Sequence, residues 1–487
     1  MKGTKKFLAF DIGASNGRAM AGFFDGEKII PEDIHRFVNE PVFVNESLHW
    51  DVLRIFSEMK TGLCLFSKKY GRELDGIGID TWGVDFGLLD KDGKLLSNPY
   101  HYRDNRTAGL AEEIKGMIDG YDIYRTTGAQ ITSISTLCQL YAMAKQKSPQ
   151  LKIAKTLLLM PSLLNYFLNG KIYAEYSSIT PTGLFDIVRN KPAYKFFRRL
   201  GIPPNLIPKV VRPGTIIGSL EKVPIIAPAT HDTASAVISV PADSDKEWAF
   251  LSCGTWSVLG FESGRPVTTP EAYGQGIINV ATAEGKFATV ANITGLWLLQ
   301  ECKRIWENNG TFLKYPEMVE LAKKARPFSA LIDVDHRTFV RPDNMPNAIA
   351  DFCRRTDQQP PSDKDALIRV VLESLALKYK EAKDKLERFR GKKFEVLHLV
   401  GGGAHNILLC QFTANALGIP VLAGPFEATS LGNILAQMVG AKAISSISEG
   451  RRILRNSIKV SLYQPRDTEK WTAEYYRYQK IISRKII

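Results

Sequence analysis

The sequence predicts an α/β protein made of two domains that share one design. Its 487 residues are enough for two to three domains of ordinary size. Residues 7–24 and 248–263 each read as an apolar strand, a glycine-containing turn and a second strand. Helical patterns alternate with strands after the first of these segments and near residue 400, as in parallel α/β sheets. We therefore expect an internal duplication in which each half begins with a hairpin.

Composition and charge exclude several classes of protein. The 44% hydrophobic and 24% charged residues are ordinary globular values, which excludes disordered and fibrous chains. The net charge of +13 is spread along the chain, so we interpret it as solvated helix faces and expect no nucleic-acid partner. The apolar stretches are too short to span a bilayer, and six widely spaced cysteines are typical of reduced thiols. These features predict a cytoplasmic protein with no membrane partner.

The first half opens with a hairpin and continues with a helix and a strand. The segments FLAF and AMAGFF are strands on either side of the turn DIGASNGR, and KII follows an Asp25-Gly26 turn as a third strand. Residues 51–70 place apolar side chains at helical spacing, and Gly71 ends the helix. The strand GIGID comes next. This order predicts a strand and helix alternation behind the hairpin.

The boundary between the domains is predicted in the proline-containing and charged segment VPADSDKE, residues 240–247. We place the N-terminal domain at 1–243 and the C-terminal domain at 244–487. In the second half, Phe394–Val400 is a strand and Ile407–Leu417 a helix ended by Gly418, with the strand IPVLA after it, which predicts one βαβ unit. The basic tail from residue 467 predicts a helix, and the sequence does not assign it to either domain.

The first glycine turn, residues 13–17, formally matches the G-x-S-x-G elbow of serine hydrolases. That elbow needs a helix directly after the serine, whereas a strand follows here, so the esterase interpretation is disfavoured. A glycine hairpin turn exposes backbone N–H groups that suit phosphate oxygens, and Ser15, Asn16 and Arg18 add side-chain donors. Asp11, at the end of the first strand, is placed to hold Mg²⁺ or, equally, to bond to its own turn.

The second glycine turn, GGGAHN at residues 401–406, lies between a strand and a helix, where a nucleotide can approach the backbone. It is not the dinucleotide fingerprint, because the spacing G-x-G-x-x-G and the later acidic residue are both missing, which disfavours NAD. The sequence contains no Walker A motif either. If the protein binds ATP, it does so without a P-loop.

Two further segments carry candidate polar and aromatic groups. His231, Asp232 and Thr233 lie between an apolar strand and an apolar helix, so Asp232 or Thr233 is either a helix N-cap or, for Asp232, a general base on a hydroxyl. The segments DTWGVDF and YHYRDNRT combine aromatic and planar polar groups, as sugar sites do. For Trp82 or Tyr102 taken alone, a place in the core is the favoured interpretation.

Taken in order, ten segments resemble the FGGY carbohydrate kinases, members of the actin and hexokinase superfold. The resemblance covers nearly the whole chain, and its segments are DIGASNGR, HRF with WDV, GIDTWGVDFGLLD, YRDNRT, LMPSLLNYFLNGK, HDTASAVI, LSCGTWSVLGFES, NITGLWLLQ, VGGGAHN and GPFEATSLGNILAQ. It implies two ribonuclease-H-like domains with an interdomain active-site cleft. It also implies ATP and Mg²⁺ as cofactors and transfer of phosphate to the terminal hydroxyl of an open-chain ketose.

Carried over by motif, the resemblance implies a role for each matching residue. It makes Asp232 the catalytic base and Asp11 the metal ligand. The ketose-binding residues that it implies are Gly83, His231, Asp232, Thr233 and Asn292. The nucleotide-binding residues that it implies are Ala14, Ser15, Asn16, Gly17, Arg18, Thr255, Gln300, Gly401, Gly402 and Gly403.

Departures from related patterns limit the alternatives. Glycerol kinases carry an Arg-Glu pair where this chain has Gly83 and Val84, so a small polyol lacks its clamp. An ATPase of the same superfold without kinase activity would share the phosphate turns, but it has no use for the DTWGVDF and YRDNRT segments. A sugar-responsive regulator would need a DNA-binding module, and no helix-turn-helix pattern precedes the first strand. Which 6-deoxyketose is the substrate, and the oligomeric state, stay open.

Overall fold

The computed structural model describes residues 3–243, 245–340 and 342–484. The strands are β1 Lys5–Ile12, β2 Asn16–Phe24, β3 Ile29–Val38, β4 Pro41–Val44, β5 Ser47–Trp50, β6 Gly76–Thr81, β7 Phe86–Leu89, β8 Thr156–Leu159, β9 Ala174–Glu175, β10 Phe185–Asp186, β11 Lys191–Pro192, β12 Val210–Val211, β13 Ile216–Leu220, β14 Val223–Ile226, β15 Trp248–Cys253, β16 Trp256–Ser263, β17 Ile278–Ala281, β18 Phe287–Thr294, β19 Val396–Val400, β20 Val421–Ala423 and β21 Ser461–Tyr463. The helices are α1 Val52–Tyr70, α2 Leu110–Met117, α3 Gly120–Thr127, α4 Thr136–Lys145, α5 Pro149–Ile153, α6 Met160–Asn169, α7 Tyr176–Ile179, α8 Tyr194–Arg199, α9 Asp232–Ile238, α10 Pro270–Gly274, α11 Trp297–Asn308, α12 Tyr315–Lys324, α13 Met345–Arg355, α14 Lys364–Arg390, α15 Ile407–Leu417, α16 Ala428–Gly440, α17 Ile447–Ser457 and α18 Thr468–Ile482. Within the described ranges, no helix combines the length and the apolar character needed to cross a membrane.

The chain folds into two compact units, and each is built from more than one segment. The first contains the described part of Met1–Pro241 with Glu262–Thr289 and Ala428–Ser457. The second contains Ala242–Phe261, Val290–Glu427 and the described part of Ile458–Ile487. The single domain boundary after residue 243 stays a prediction. The compact units follow a different division, because two later segments complete the first unit.

The sheet of the first unit has the strand order β13-β14-β6-β1-β2-β3. β1 pairs antiparallel with β2 and parallel with β6, and β14 also runs parallel to β6. The predicted hairpin and third strand at the start of the chain are therefore confirmed. The carboxyl ends of β1, β6 and β14 consequently lie at the same edge of the sheet.

Helix α1 shows how the sequence pattern becomes packing in this unit. Asp51 caps its first turn by accepting a hydrogen bond of 3.1 Å from the backbone N–H of Arg54, and Gly71 ends it. Its buried residues, Val52, Ile55, Met59, Gly62 and Phe66, recur at helical spacing. The four apolar side chains among them join Leu8, Phe10, Ile77 and Ile79 of the central strands in one hydrophobic core. The helix predicted over residues 51–70 is confirmed.

Helix α16 packs on the first sheet although it lies late in the chain. It contacts β1, β6 and α9, all within the first unit. At Gly432 a Cβ atom would come within 1.7 Å of the Ser235 backbone oxygen, so only glycine allows this approach of α16 to α9. The approach brings Ser430 and Asn433 to the central strands.

The second unit repeats the strand arrangement of the first. Its sheet contains the order β18-β16-β15-β19-β20-β21. β15 pairs antiparallel with β16 and parallel with β19, β20 runs parallel to β19, and β21 runs antiparallel to β20. The same pairing directions occur around β1, so the topology agrees with the internal duplication inferred from the two hairpins.

The basic C-terminal segment forms α18 in the second unit, which answers the question that the sequence left open. Trp471 of α18 is buried, and its ring lies 4.8 Å from that of Phe328 and 5.2 Å from that of Phe412. Such aromatic contacts bury large apolar areas. Core packing thus holds this helix on the second unit, and the half-buried Arg477 adds a hydrogen bond of 3.0 Å to the Phe328 carbonyl.

Candidate functional site

The carboxyl ends of β1 and β6 bring two carboxylates side by side. Asp11 of β1 lies opposite Asp80 of β6 in the parallel register, and the next residue of β6, Thr81, forms an isolated bridge with His231. In open α/β sheets, ligands bind beyond the carboxyl ends of the strands. The residues predicted around Asp11 and around Asp232 are therefore neighbours at one edge of the first unit.

This edge concentrates negative charge. Asp11 accepts a hydrogen bond of 2.8 Å from the Ser430 hydroxyl and lies 3.6 Å from the Arg18 Nε atom. Asp80 is fully buried; one of its oxygens accepts from the Asn433 amide at 2.6 Å. Burial raises the pKa of Asp11, although the positive charge of Arg18 and the hydrogen bond from Ser430 lower it. Burial and the negative charges of Asp11 and Asp232 raise the pKa of Asp80 well above its ordinary value.

The pair of carboxylates fits a small divalent cation. The second side-chain oxygen of Asp80, Oδ1, is buried and has no hydrogen-bond partner among the described residues. Nowhere in residues 3–243, 245–340 and 342–484 is a group of three or more histidine, cysteine, aspartate or glutamate side chains placed to hold a metal ion. Mg²⁺ commonly uses one or two carboxylates, with water and substrate phosphates as its remaining ligands. Asp11 and Asp80 supply that number of oxygen donors.

The first glycine turn is a tight hairpin between β1 and β2. The Gly13 N–H donates to the Asn16 carbonyl at 2.8 Å, and β2 begins directly after Ser15. The helix that a hydrolase elbow requires is absent at this point, as expected. Asn39 fixes the turn from outside, since its side-chain amide donates to the Gly13 carbonyl at 2.8 Å and its backbone N–H to that of Ser15 at 3.0 Å.

The side chains of this turn differ in their exposure. Ser15 and Asn16 are exposed, Ala14 is half-buried and Gly17 is buried. A Cβ atom at Gly17 would lie 2.2 Å from the Phe37 ring, so glycine is required there by packing. Ser15 and Asn16 are therefore the most accessible residues of the turn for a phosphate group.

His231 and Asp232 mark the change from extended chain to helix α9. His231 occupies the N-cap position with φ −83° and ψ 125°, and Asp232 is the first helical residue. The alternative that Asp232 or Thr233 is the N-cap is therefore wrong, because the backbone is already helical at Asp232. Asp232 Oδ1 lies 2.9 Å from His231 Nδ1 and accepts from the Thr233 N–H at 2.5 Å. Its side chain remains 34% exposed.

Gly83 lies directly against this histidine. A Cβ atom at position 83 would come within 2.6 Å of His231 Nε2. Val84 follows with φ 73°, a left-handed conformation that is rare for a β-branched residue, and its carbonyl accepts from the Thr136 hydroxyl at 2.7 Å. The chain after β6 is thus held close to His231 in an unusual conformation.

Asp85 organises the aromatic residues of this region. Its carboxylate accepts from the indole N–H of Trp50 at 2.6 Å, the indole N–H of Trp82 at 3.0 Å and the backbone N–H of Tyr102 at 3.1 Å. The Gln139 amide donates to its other oxygen at 2.8 Å. Burial raises the pKa of Asp85 to about 6, although these hydrogen bonds lower it. Trp82 is only 5% exposed, which confirms its place in the core.

The glycine turn between β15 and β16 is the counterpart of the first turn in the second unit and is one residue shorter. The Gly254 N–H donates to the Trp256 carbonyl at 2.8 Å. The segment before α11 closes on it, since the N–H of Gly295 donates to the Thr255 carbonyl at 3.1 Å and that of Leu296 to the Gly254 carbonyl at 2.9 Å. Gln300 lies one turn further along α11, half-buried, and Asn292 is exposed on β18.

The three glycines after β19 have three different environments. Gly401 has φ 84°, and a Cβ atom at Gly403 would lie 2.2 Å from the Cys253 sulfur. Gly402, between them, is exposed and faces open space. The flanking glycines are therefore required by the protein itself, whereas Gly402 leaves backbone accessible to a ligand.

Comparison with known proteins assigns the chain to a family. The N-terminal domain of the FGGY family of carbohydrate kinases matches residues 6–239, and the C-terminal domain of the same family matches residues 249–441. A rhamnulokinase of Bacteroides thetaiotaomicron is 36% identical over 98% of this chain and 99% of that protein. The chain belongs to the FGGY family of carbohydrate kinases. The family resemblance inferred from ten segments is confirmed.

A second relative supports this assignment, and solved structures show the same fold. A rhamnulokinase of Yersinia pestis (strain Angola) is 36% identical over 97% of this chain and 98% of its own length. Among solved structures, the ligand-bound xylulose kinase of Lactobacillus acidophilus has a TM-score of 0.78 with 16% identity, and covers 98% of this chain and 96% of its own. Glycerol kinase of Plasmodium falciparum with ADP has a TM-score of 0.77 with 18% identity, covering 99% of both chains. These structures confirm the two-domain fold of actin and hexokinase type.

The residues predicted for the site of this FGGY kinase fall into two groups. Asp11, residues 14–18, Gly83 and residues 231–233 lie in the first unit. Thr255, Asn292, Gln300 and residues 401–403 lie in the second. Asn292 is the one predicted ketose-binding residue in the second unit.

Sequence reasoning assigned no role to several polar residues in or next to the candidate site. They are Asn39 at the first turn, Ser430 and Asn433 on α16, Asp80 on β6 and Asp85 after it. The segments GIDTWGVDFGLLD and EATSLGNILAQ contain four of the five and were part of the resemblance. Their polar residues at otherwise apolar positions were the signal that could have identified them.

Proposed function

We propose that the chain transfers the γ-phosphate of ATP to the C1 hydroxyl of L-rhamnulose and forms L-rhamnulose 1-phosphate, a step of L-rhamnose catabolism. The similarity to rhamnulokinases over nearly the whole length supports the choice of sugar. The observation that carries the reaction is the exposure of Asp232. Its side chain is 34% exposed beside two carboxylates that are 12% and 0% exposed. Asp232 is thus the carboxylate that a substrate hydroxyl can reach.

In the proposed reaction Asp232 is the general base. Its carboxylate accepts the proton of the C1 hydroxyl while the hydroxyl oxygen bonds to the γ-phosphorus. The bond from that phosphorus to the bridging oxygen breaks, and ADP leaves with the electron pair. When bound, Mg²⁺ would neutralise phosphate charge, and the residues that would hold it are Asp11 and Asp80.

The remaining predicted residues position the substrates in this proposal. The exposed backbone of the first turn and of Gly402 supplies fixed N–H dipoles for phosphate oxygens, which need no reorganisation during transfer. We assign ATP to Ala14, Ser15, Asn16, Gly17, Arg18, Thr255, Gln300, Gly401, Gly402 and Gly403. We assign the ketose to Gly83, His231, Asp232, Thr233 and Asn292. A cytoplasmic location, where ATP is supplied, belongs to the same proposal.

The test is a coupled assay of ADP release with a panel of ketoses. We expect the highest kcat/KM with L-rhamnulose and little release without sugar. A preference for L-fuculose would replace the substrate but keep the kinase, and release that is indifferent to sugar would indicate an ATPase. Asp232→Asn, which still accepts the Thr233 N–H, is expected to lower kcat by about 10² to 10⁴ at an unchanged melting temperature. A normal kcat would overturn the assignment of the base.

A further inference from the structure

Glu175 is a fully buried carboxylate that none of the site predictions included. It ends β9 and is the N-cap of the short helix α7. One oxygen, Oε1, accepts from the Ser177 N–H at 2.9 Å. The other, Oε2, accepts from the Ser177 hydroxyl at 2.5 Å, the Ser178 N–H at 3.3 Å, and the Thr230 N–H and hydroxyl at 3.0 and 2.7 Å. Five donors from two distant segments therefore converge on one carboxylate.

Glu175 is the acceptor in all five of these hydrogen bonds. Burial raises the pKa of Glu175, but hydrogen bonds from Ser177 and Thr230 oppose this and favour the ionised form. Three of the five donors are backbone N–H groups, which cannot accept a proton from the carboxyl group. Hydrogen bonds to an ionised carboxylate are stronger than those to a neutral group, so this set of donors favours the ionised form.

The carboxylate also fixes the direction of the next hydrogen bonds. Because the Thr230 hydroxyl donates to Glu175, the Ser178 hydroxyl, 2.7 Å away, must donate to Thr230. Because the Ser177 hydroxyl donates to Glu175, its oxygen is free to accept from the His231 N–H at 3.2 Å. Glu175 thus determines how Ser177, Ser178 and Thr230 hold the chain up to His231.

From these contacts we propose that Glu175 is a positioning residue for Asp232. Thr230 and His231 directly precede Asp232, and both are tied to Glu175, the first directly and the second through Ser177. Thr230 is also tied to β6, because its carbonyl accepts a hydrogen bond of 2.9 Å from the N–H of Thr81, the residue after Asp80. The segment that carries Asp232 is therefore fixed between β6 and the Glu175 carboxylate. This inference rests on the proposed role of Asp232 as the base.

The inference has a measurable consequence for catalysis. A general base must lie within hydrogen-bond reach of the hydroxyl proton, and a misplacement of about 1 Å can cost about a hundredfold in rate. In Glu175→Gln an NH₂ group replaces one acceptor and faces a donor. We expect kcat to fall by roughly tenfold to a hundredfold while the KM for ATP is unchanged.

A double-mutant cycle with Asp232→Asn distinguishes positioning from general damage. If Glu175 acts through Asp232, Glu175→Gln lowers kcat in the wild type but by less than about twofold when Asp232 is already asparagine. An equal loss in both backgrounds, or a normal kcat in Glu175→Gln, would overturn the inference and leave the base role intact. A normal kcat in Asp232→Asn would overturn the base role, and the inference with it.

Two further variants make the result independent of folding. Glu373→Gln neutralises another fully buried glutamate, in the second unit, where it bonds to Arg369 and to the Phe328 N–H. It is expected to keep the wild-type kcat. Should Glu175→Gln fail to fold, Ser177→Ala removes only the link from Glu175 to the His231 N–H. In the same cycle, Ser177→Ala is expected to lower kcat in the wild type but hardly at all in Asp232→Asn. An equal fall in kcat in both backgrounds would overturn the inference.

Discussion

The side-chain amide of Asn433 donates a hydrogen bond of 2.6 Å to the buried carboxylate of Asp80, 353 residues earlier in the chain. Both residues are fully buried in the first unit. The bond opposes the effect of burial and of two negative neighbours, which raise the pKa of Asp80. Helix α16 thereby supplies the donor that makes a carboxylate tolerable in the centre of the sheet.

Asn433→Ala is expected to destabilise the first unit by about 3 kcal/mol, because it leaves the Asp80 carboxylate buried without its donor. The measurement is calorimetric melting of the purified protein. Asn308→Ala, at an exposed position of α11, is the matched control and should stay within about 0.5 kcal/mol of the wild type. Equal melting temperatures for the two variants would contradict the importance of this bond.

Gly83→Ala is expected to raise the KM for the ketose by about tenfold, because the new Cβ atom displaces the His231 ring. The KM for ATP should not change. Gly116→Ala in α2 is the control, since a Cβ atom there meets open space, and alanine should leave the enzyme as active as the wild type. Unchanged ketose kinetics in Gly83→Ala would remove Gly83 and His231 from the proposed sugar site.

Gly402→Val is expected to fold normally, because a Cβ atom at this position meets nothing within 4 Å. A valine side chain would cover the exposed backbone and raise the KM for ATP by about tenfold or more. Gly264→Val, at another exposed glycine with open space around it, provides the comparison. If the two variants bind ATP equally well, this turn does not contact the nucleotide.

The raised pKa of Asp85 predicts that the stability of the protein depends on pH. Its pKa in the folded protein is raised from 3.8 to about 6, so between these values the folded protein holds a proton that the unfolded chain has lost. The contribution of Asp85 to stability therefore falls as pH rises through this range. The stability difference between the wild type and Asp85→Asn should decrease by on the order of 3 kcal/mol from pH 4 to about 6 and then level off. The measurement is urea unfolding of both proteins at each pH, and a difference in free energy of unfolding that does not change with pH would contradict the prediction.

Sequence reasoning reached those parts of the fold that are determined locally. The hairpin at Gly13, helix α1 with its cap at Asp51, and helix α15 with its stop at Gly418 each combine a periodic apolar pattern with a turn or cap residue a few positions away. The return of α16 to the first unit was not predicted. It depends on Gly432 meeting Ser235, a contact between residues almost 200 positions apart that no local pattern encodes.

The candidate site was predicted in the same uneven way. Asp11 and Asp232 were singled out as candidates because each follows an apolar strand. Glu175 was not found, because an acidic residue followed by Ser177 and Ser178 predicts no more than a local helix cap. Its further bonds to Thr230 depend on the tertiary fold alone, and so does the register that sets Asp11 beside Asp80.

The late position of α16 affects how the chain is made. Residue 457, where the first unit is complete, lies more than 200 residues beyond Pro241. At about 5 to 20 residues per second, a ribosome needs on the order of 10 to 40 s to cover that distance. Throughout this time β1 and β6 lack their covering helix, and the Asp80 carboxylate lacks its amide donor. The nascent chain is therefore expected to depend on a chaperone until the segment Ala428–Ser457 has emerged, and a fragment that ends near residue 243 should aggregate when it is expressed alone.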